Sequence, residues 1–175
     1  MKPIPKFFSI FAVTLTAQPL AAQQSADVVV YLGAGTSVES EIAGFDATPL
    51  SFGAIFMPTS SPMVFGVDIA GEGEMLDSTF GRDSYRQALS FNALLGGRIF
   101  QTDKFRTDAM VLLGARESVT DCPDSVLGFQ CYADREPDAT YDFNYGAVVT
   151  ATFDKVAIGL RVTGESAQVV LGFKF

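Results

Sequence analysis

Residues 166–175 read S-A-Q-V-V-L-G-F-K-F, and this stretch decides the fold. Every second residue in it is apolar, namely Ala167, Val169, Leu171, Phe173 and Phe175. The residues between them are mostly small or polar. Successive side chains of a β-strand point to opposite faces. The stretch therefore predicts a strand with one apolar face and one small or polar face.

The same alternation recurs along the rest of the chain. Apolar residues occupy every second position in seven further segments, residues 27–36, 49–57, 63–72, 85–100, 105–117, 141–153 and 156–163. A period of two over about ten residues is typical of strands with two different faces. Eight such segments joined by turns predict an all-β fold. The even number favours an eight-stranded antiparallel up-and-down transmembrane β-barrel.

Glycines recur in the row opposite the apolar one. Each predicted strand places one glycine there: Gly33, Gly53, Gly66, Gly96, Gly114, Gly146, Gly159 and Gly172. Glycine weakens a strand, so its regular use needs a geometric reason. The interior of an eight-stranded barrel is only just wide enough for side chains, and small residues make room for large ones.

Charged residues share the row of the glycines. They are Asp68, Glu72, Asp108, Arg98, Arg116, Arg161 and Lys174. Buried charges are tolerated chiefly when they are paired, so the pattern predicts a lumen ion-pair network. In it, Arg161 is expected to pair with a carboxylate such as Asp68 or Asp108. The alternative is a soluble β-sandwich, which would bury the apolar row and hydrate the charged one.

The N-terminal residues have the layout of a secretory signal peptide. Lys2 and Lys6 give a positive start, an apolar run follows over residues 7–15, and Ala21-Ala22 offers a cleavage site. The apolar run is too short to span a bilayer as a helix. We therefore predict a signal peptide over residues 1–22 and one barrel domain over residues 23–175. An N-terminal helical anchor is the alternative.

The connections between the predicted strands alternate in length. Residues 58–62, 101–104 and 154–155 form short turns, whereas the connections 37–48, 73–84 and 118–140 are long; 164–166 is a tight hairpin. Short periplasmic turns and longer outer loops are typical of outer-membrane barrels. The long loops are acidic, with carboxylates at Glu39, Glu41, Asp46, Glu74, Asp77, Asp83, Asp121, Asp124, Asp134, Glu136 and Asp138. They predict either the capture of divalent cations or a solvated, repulsive surface.

The two cysteines of the chain, Cys122 and Cys131, lie in the third long loop. Export would place them in an oxidising compartment, so we predict a disulfide between them. The chain has no histidine and no third cysteine, and we therefore predict no metal site at the cysteine pair.

The composition excludes several functions. The absence of histidine removes Ser-His-Asp triads and other mechanisms that use a histidine base. The formal net charge of −8 argues against nucleic-acid binding, which needs a basic surface. The carboxylates of Asp68, Glu72 and Asp108 could perform acid–base chemistry, but pairing with the inner cations explains them better. We predict no catalytic residue and no cofactor.

The signal-peptide layout, the eight alternating segments and the terminal L-G-F-K-F together resemble a known family. It is that of the small eight-stranded Gram-negative outer-membrane β-barrels, of the OmpX and OmpA-membrane-domain type. Leu171, Phe173 and Phe175 look like the signal that the barrel-assembly machinery reads.

The resemblance implies a monomer in the cell outer membrane, in contact with lipid and lipopolysaccharide. It also implies a non-enzymatic role in envelope integrity or surface interaction. A channel for small solutes and a lipid-modifying enzyme are the alternatives.

Overall fold

The computed structural model describes residues 26–38, 47–78, 84–118 and 140–175. The predicted signal peptide lies outside the described residues, and so do Cys122 and Cys131. Of the acidic residues assigned to the long loops, Glu74 and Asp77 lie in a strand instead, and the others fall outside the described residues.

The described residues form eight strands in sequence order: β1 Ala26–Ser37, β2 Leu50–Pro58, β3 Met63–Ser78, β4 Ser84–Gln101, β5 Phe105–Ser118, β6 Thr140–Phe153, β7 Val156–Thr163 and β8 Ser166–Lys174. Each strand pairs antiparallel with the next, and β8 pairs antiparallel with β1, which closes the barrel. The predicted eight-stranded antiparallel barrel is therefore confirmed. Among the described residues, no helix is long and apolar enough to cross a membrane.

Strand β3 is the one whose predicted end is wrong, because it continues to Ser78 instead of stopping at residue 72. Its pairing with β4 shifts register between Gly71 and Glu74. Gly73, between them, has a φ of 72°, a left-handed backbone conformation that glycine adopts without strain. A bulge of this kind adds a residue to one strand and so interrupts the two-residue alternation. The sequence pattern therefore stops at residue 72 although the strand goes on.

The apolar row of each strand faces outward. Many large side chains on this row are more than half exposed, as in Leu32 at 66%, Phe143 at 71% and Leu160 at 59%. The opposite row is buried inside the barrel and holds both apolar and charged side chains. This arrangement excludes the β-sandwich, because a sandwich would bury the row that is exposed here.

The strands are staggered around the barrel. A row of directly paired residues leaves β4 at Arg98 and comes back to β4 at Ser90, eight residues away; it passes through Asp108, Thr150, Gly159, Val170, Gly33, Ser51 and Ala70. Such a stagger tilts the strands against the barrel axis. It brings side chains from distant parts of the sequence to the same level of the lumen.

The inward glycines let neighbouring strands and large side chains approach closely. A Cβ atom at Gly96 would overlap the carbonyl oxygen of Ala109 on the neighbouring strand, and one at Gly53 would overlap the ring of Tyr31. The glycine at position 53 thus leaves the space that the Tyr31 side chain fills.

Candidate functional site: the polar lumen

The centre of the lumen is organised by the guanidinium group of Arg161, which is fully buried on β7. Its Nη2 donates to Oδ1 of Asp68 at 2.8 Å, and its Nη1 donates to Oε2 of Glu72 at 2.7 Å. Its Nε lies 3.2 Å from both carboxylate oxygens of Asp68. Both carboxylates are on β3, on the opposite side of the closed sheet. One side chain of β7 is therefore tied across the lumen to two side chains of β3.

The carboxylate of Glu72 collects four further donors. The hydroxyl groups of Ser90, Thr163 and Ser166 each donate to it at 2.7 Å, and Nδ2 of Asn144 donates at 2.9 Å. Hydrogen bonds that stabilise the ionised form offset the cost of burying a carboxylate. Glu72 is thus held as an acceptor by side chains of β4, β6, β7 and β8.

The carboxylate of Asp68 has neutral partners as well. The hydroxyl of Tyr31 donates to Oδ2 at 2.7 Å, and Nδ2 of Asn92 donates to Oδ1 at 2.8 Å. The amide of Asn92 in turn accepts a 2.9 Å hydrogen bond from Asn144. We call this connected set the central network; its members are Tyr31, Asp68, Glu72, Ser90, Asn92, Asn144, Arg161, Thr163, Ser166 and Gln168.

The neutral members of the central network are absent from the sequence predictions. A signal for them exists, because Tyr31, Asn92 and Asn144 occupy the inward row of strands whose outward row is apolar. These residues carry no charge, so a search for inward charged residues does not find them. In the folded protein they supply much of the solvation of the two buried carboxylates.

A second polar group lies near the short turns, at what we call the turn end of the barrel. Nε of Arg106 donates to both carboxylate oxygens of Asp108, at 2.9 and 2.8 Å. Nη2 of the half-buried Arg98 donates to the carbonyl oxygen of Ser61 at 3.0 Å, in the turn between β2 and β3. Arg98 and Asp108 are direct cross-strand partners. We call Arg98, Arg106, Asp108 and Thr152, the cross-strand partner of Arg106, the turn-end cluster.

The turn-end cluster distinguishes the two carboxylates that the sequence offers as partners of Arg161. Asp108 pairs with Arg106, and the hydrogen bonds of Arg161 go to Asp68 and Glu72. Arg106 is buried and faces inward two residues before Asp108, but the sequence reasoning does not include it. The sequence does not separate Asp68 from Asp108, because residue alternation gives the face of a side chain and not its height in a staggered barrel.

Arg116 and Lys174 lie apart from both groups. Nη2 of Arg116 is 3.1 Å from Oε1 of Glu165, in the β7–β8 hairpin. Nζ of Lys174 is 3.7 Å from Oδ2 of Asp27, and both side chains are substantially exposed. Exposed ion pairs contribute little stability. The seven charged residues predicted for the lumen ion-pair network are therefore distributed over the central network, the turn-end cluster and two separate pairs.

Apolar side chains separate the central network from the turn-end cluster. On β4, Leu94 and Gly96 are the inward residues between Asn92 and Arg98, and on β5 Met110 and Leu112 follow Asp108. Leu94, Met110 and Leu112 belong to one buried cluster to which every strand contributes. We call this cluster, in which Tyr31 takes part with its ring, the apolar layer: Val29, Tyr31, Ile55, Met57, Val64, Leu94, Met110, Leu112, Val148, Ala157 and Val170. An ion moving along the axis would have to cross this region of low polarity.

The carboxylates inside the barrel are paired with arginines. Among the described residues, no group of three or more acidic, cysteine or histidine side chains is placed to hold a metal ion. The carboxylates of Asp68, Glu72 and Asp108 each accept hydrogen bonds from an arginine. Each of these three carboxylates is thus engaged in an ion pair inside the barrel.

Fold and lumen together define a closed eight-stranded barrel that is apolar outside and filled with side chains inside. No protein-family model and no curated protein matches the sequence. Among solved structures, the outer membrane protein Ail of Yersinia pestis in a phospholipid nanodisc is similar over 86% of this chain and 98% of its own, with 12% identity and a TM-score of 0.44.

Two further solved structures are similar over the same share of this chain. The crystal structure of Ail with the heparin analogue sucrose octasulfate gives 11% identity, 98% coverage of its own chain and a TM-score of 0.46. Outer membrane protein H (OprH) of P. aeruginosa in DHPC micelles gives 13% identity, 99% coverage of its own chain and a TM-score of 0.42. The closed barrel itself is established by the strand pairing.

Replacing Arg161 by leucine should strongly destabilise the barrel. The substitution leaves the Asp68 and Glu72 carboxylates buried without their cation, and breaking a buried pair in this way costs about 3–5 kcal/mol. The free energy of unfolding, measured by urea titration in lipid vesicles, checks the prediction, together with heat-modified gel mobility.

The matched control for this variant is Arg116→Leu, which removes an arginine whose ion pair is partly exposed. It should cost about 1 kcal/mol or less. Adding Asp68→Asn and Glu72→Gln to Arg161→Leu should restore part of the stability. Equal losses in the two single variants would contradict the assignment of Arg161 as the centre of the network.

Proposed function

We propose that this protein is a non-enzymatic transmembrane barrel of the Gram-negative outer membrane that contributes to envelope integrity or surface interaction. The observation that carries the proposal is the outer face of the barrel. On the described strands, no charged side chain occurs on the outward rows of residues 28–34, 50–56, 63–69, 89–99, 105–115, 141–153, 156–162 and 167–175. One polar residue, Thr107, interrupts them.

This outer face is too apolar and too continuous for contact with water. Side chains such as Phe52, Val67, Leu95 and Leu171 are each more than half exposed. Water-soluble monomers rarely expose apolar patches of more than a few hundred Å². Lipid is the solvent that suits such a surface, and a barrel can cross it because its strands satisfy one another's backbone groups.

Aromatic contacts at the turn end support this orientation in a bilayer. The rings of Phe56 and Phe65 stack with centroids 5.5 Å apart, and those of Phe105 and Phe153 lie 4.6 Å apart. All four residues belong to strand ends next to the short turns. Belts of aromatic residues mark the membrane–water interfaces of outer-membrane barrels. We infer that the short turns face the periplasm and the long, acidic loops face outward.

The filled lumen favours a structural role over transport. The central network and the apolar layer occupy the interior, and the apolar layer draws on every strand. Eight-stranded barrels have interiors just wide enough for side chains. Surface interaction would then fall to the outer loops, where we further propose contacts with divalent cations or lipopolysaccharide and a Cys122–Cys131 disulfide.

Two further elements of the proposal concern export. We propose that residues 1–22 are removed as a signal peptide and that Leu171, Phe173 and Phe175 are read by the barrel-assembly machinery. The outward exposure of these three side chains supports the second point, because a recognition signal must be accessible.

Fractionation of native cells combined with surface protease digestion tests the location. The protein should fractionate with the outer membrane. Protease added to intact cells should cut within the long connections between β1 and β2, β3 and β4, or β5 and β6, and leave the short turns uncut. Recovery of the protein in the soluble periplasmic or cytoplasmic fraction would contradict the proposal.

An arginine in place of Leu160 tests whether lipid contacts the outer face. Leu160 lies in the middle of the outward row of β7. A lipid-facing arginine at mid-membrane costs about 2–4 kcal/mol, whereas water would accept it freely. The free energy of unfolding in lipid vesicles measures the difference.

The control is Val156→Arg, on the same face of the same strand but next to a short turn. There the expected cost falls to about 0–1 kcal/mol, since the side chain can reach the interface. If Leu160→Arg were as stable as Val156→Arg, the outer face would not be embedded in lipid.

Planar-bilayer recording separates the structural role from the channel alternative. The purified protein should give no steady single-channel current, because the apolar layer separates the polar parts of the lumen. A reproducible current from the wild type that changes with Leu112→Asp, a substitution within the apolar layer, would establish conduction through the lumen and overturn the closed-lumen assignment.

A further inference from the structure

Three buried polar atoms of the turn-end cluster have no hydrogen-bond partner among the described residues. They are Nε of Arg98, Nη2 of Arg106 and Oγ1 of Thr152. Arg106 is 8% exposed and Thr152 is 3% exposed. Most buried polar groups in proteins are satisfied, and a buried donor without an acceptor costs free energy. Several donors without partners in one place therefore indicate a bound acceptor that completes their hydrogen bonds.

The register of the sheet brings these three residues together. Arg106 on β5 is the direct cross-strand partner of Thr152 on β6. Arg98 on β4 pairs with Asp108, two residues beyond Arg106 on the same face of β5. Side chains of direct partners start about 5 Å apart and those of diagonal neighbours about 7–8 Å apart, within reach of an arginine. All three donors thus line one side of the lumen at the turn end.

The charge of the cluster favours an anion as the acceptor. Two guanidinium groups, of Arg98 and Arg106, face the single carboxylate of Asp108. That carboxylate is already engaged by Nε of Arg106 through both oxygens. The apolar layer lies between this excess positive charge and the carboxylates of the central network. The compensating charge has to come from the solution at the turn end.

We propose that the turn-end cluster binds one small inorganic anion of the size of chloride. It accepts hydrogen bonds from Nε of Arg98, Nη2 of Arg106 and the hydroxyl of Thr152. Arg98 is half-buried, so the site opens toward the turns, and the apolar layer stops the anion from passing further. The site is a property of the barrel interior and does not depend on the cellular role of the protein.

Thermal unfolding of the full-length protein purified in detergent tests the proposal. Gluconate, which is too large for the site, is replaced stepwise by chloride at constant ionic strength. An anion that binds only the folded state raises the unfolding midpoint in a saturable way. We expect a saturable rise for the wild type, and no dependence on chloride would overturn the proposal.

Two substitutions locate the effect. Arg98→Gln and Thr152→Val should each raise the half-saturating chloride concentration by about tenfold, since each removes one hydrogen bond to a charged group. Thr152→Val should still fold, because the hydroxyl it removes has no partner within the part of the chain that the structure describes. Arg116→Gln, an inward arginine outside the cluster, is the control and should leave the chloride dependence unchanged. Equal changes in all three variants would overturn the assignment.

Bromide provides a direct readout. Crystals of the wild type grown in bromide should show an anomalous peak within hydrogen-bond distance of Nη2 of Arg106, and crystals of Thr152→Val should show a weaker peak or none. A peak elsewhere, or none in the wild type, would overturn the site.

Discussion

The bridge from Arg161 to Asp68 and Glu72 is the interaction on which the rest of the lumen depends. It joins β7 to β3 across a closed sheet in which backbone pairing links only neighbouring strands. The outer face gives little specificity, because any apolar side chain suits lipid. The interior gives much more specificity, since each hydrogen-bond donor around the two carboxylates has to lie at one particular place. A slip of one residue in the register of β7 would turn Arg161 toward the outside, so the bridge also fixes how the strands align.

The two polar groups of the lumen differ in the sign of their charge. The central network contains two carboxylates and one guanidinium group, and the turn-end cluster contains two guanidinium groups and one carboxylate. The apolar layer keeps them apart. The negative charge of the central network therefore does not neutralise the positive charge of the turn-end cluster. The polar atoms of each group need hydrogen-bond partners close by. The central network achieves this with neutral hydroxyl and amide donors, whereas the turn-end cluster retains donors without partners.

Much of the fold follows from residue alternation, because a barrel in lipid needs an unbroken apolar row on every strand. Seven strands begin and end within one residue of the predicted bounds, and β3 departs because the bulge at Gly73 interrupts its period. The lumen was less predictable. Alternation placed Asp68, Glu72 and Arg161 inside, but their height depends on the stagger of all eight strands. For that reason the sequence offers both Asp68 and Asp108 to Arg161, and only the structure shows that Asp68 is its partner and that Asp108 pairs with Arg106.

The pairing of β8 with β1 has a consequence for how the molecule forms. Seven of the eight strand pairs join strands that follow each other in the sequence. Each of these pairs can form as soon as both of its strands have been synthesised. The eighth joins Val29 to Lys174, and Phe175 exchanges backbone hydrogen bonds with Val28. Until β8 pairs with β1, the protein is an open sheet with two unpaired edge strands and an exposed apolar face. Such a sheet is prone to aggregation, so the unfolded chain has to be protected from water until β8 is available for pairing.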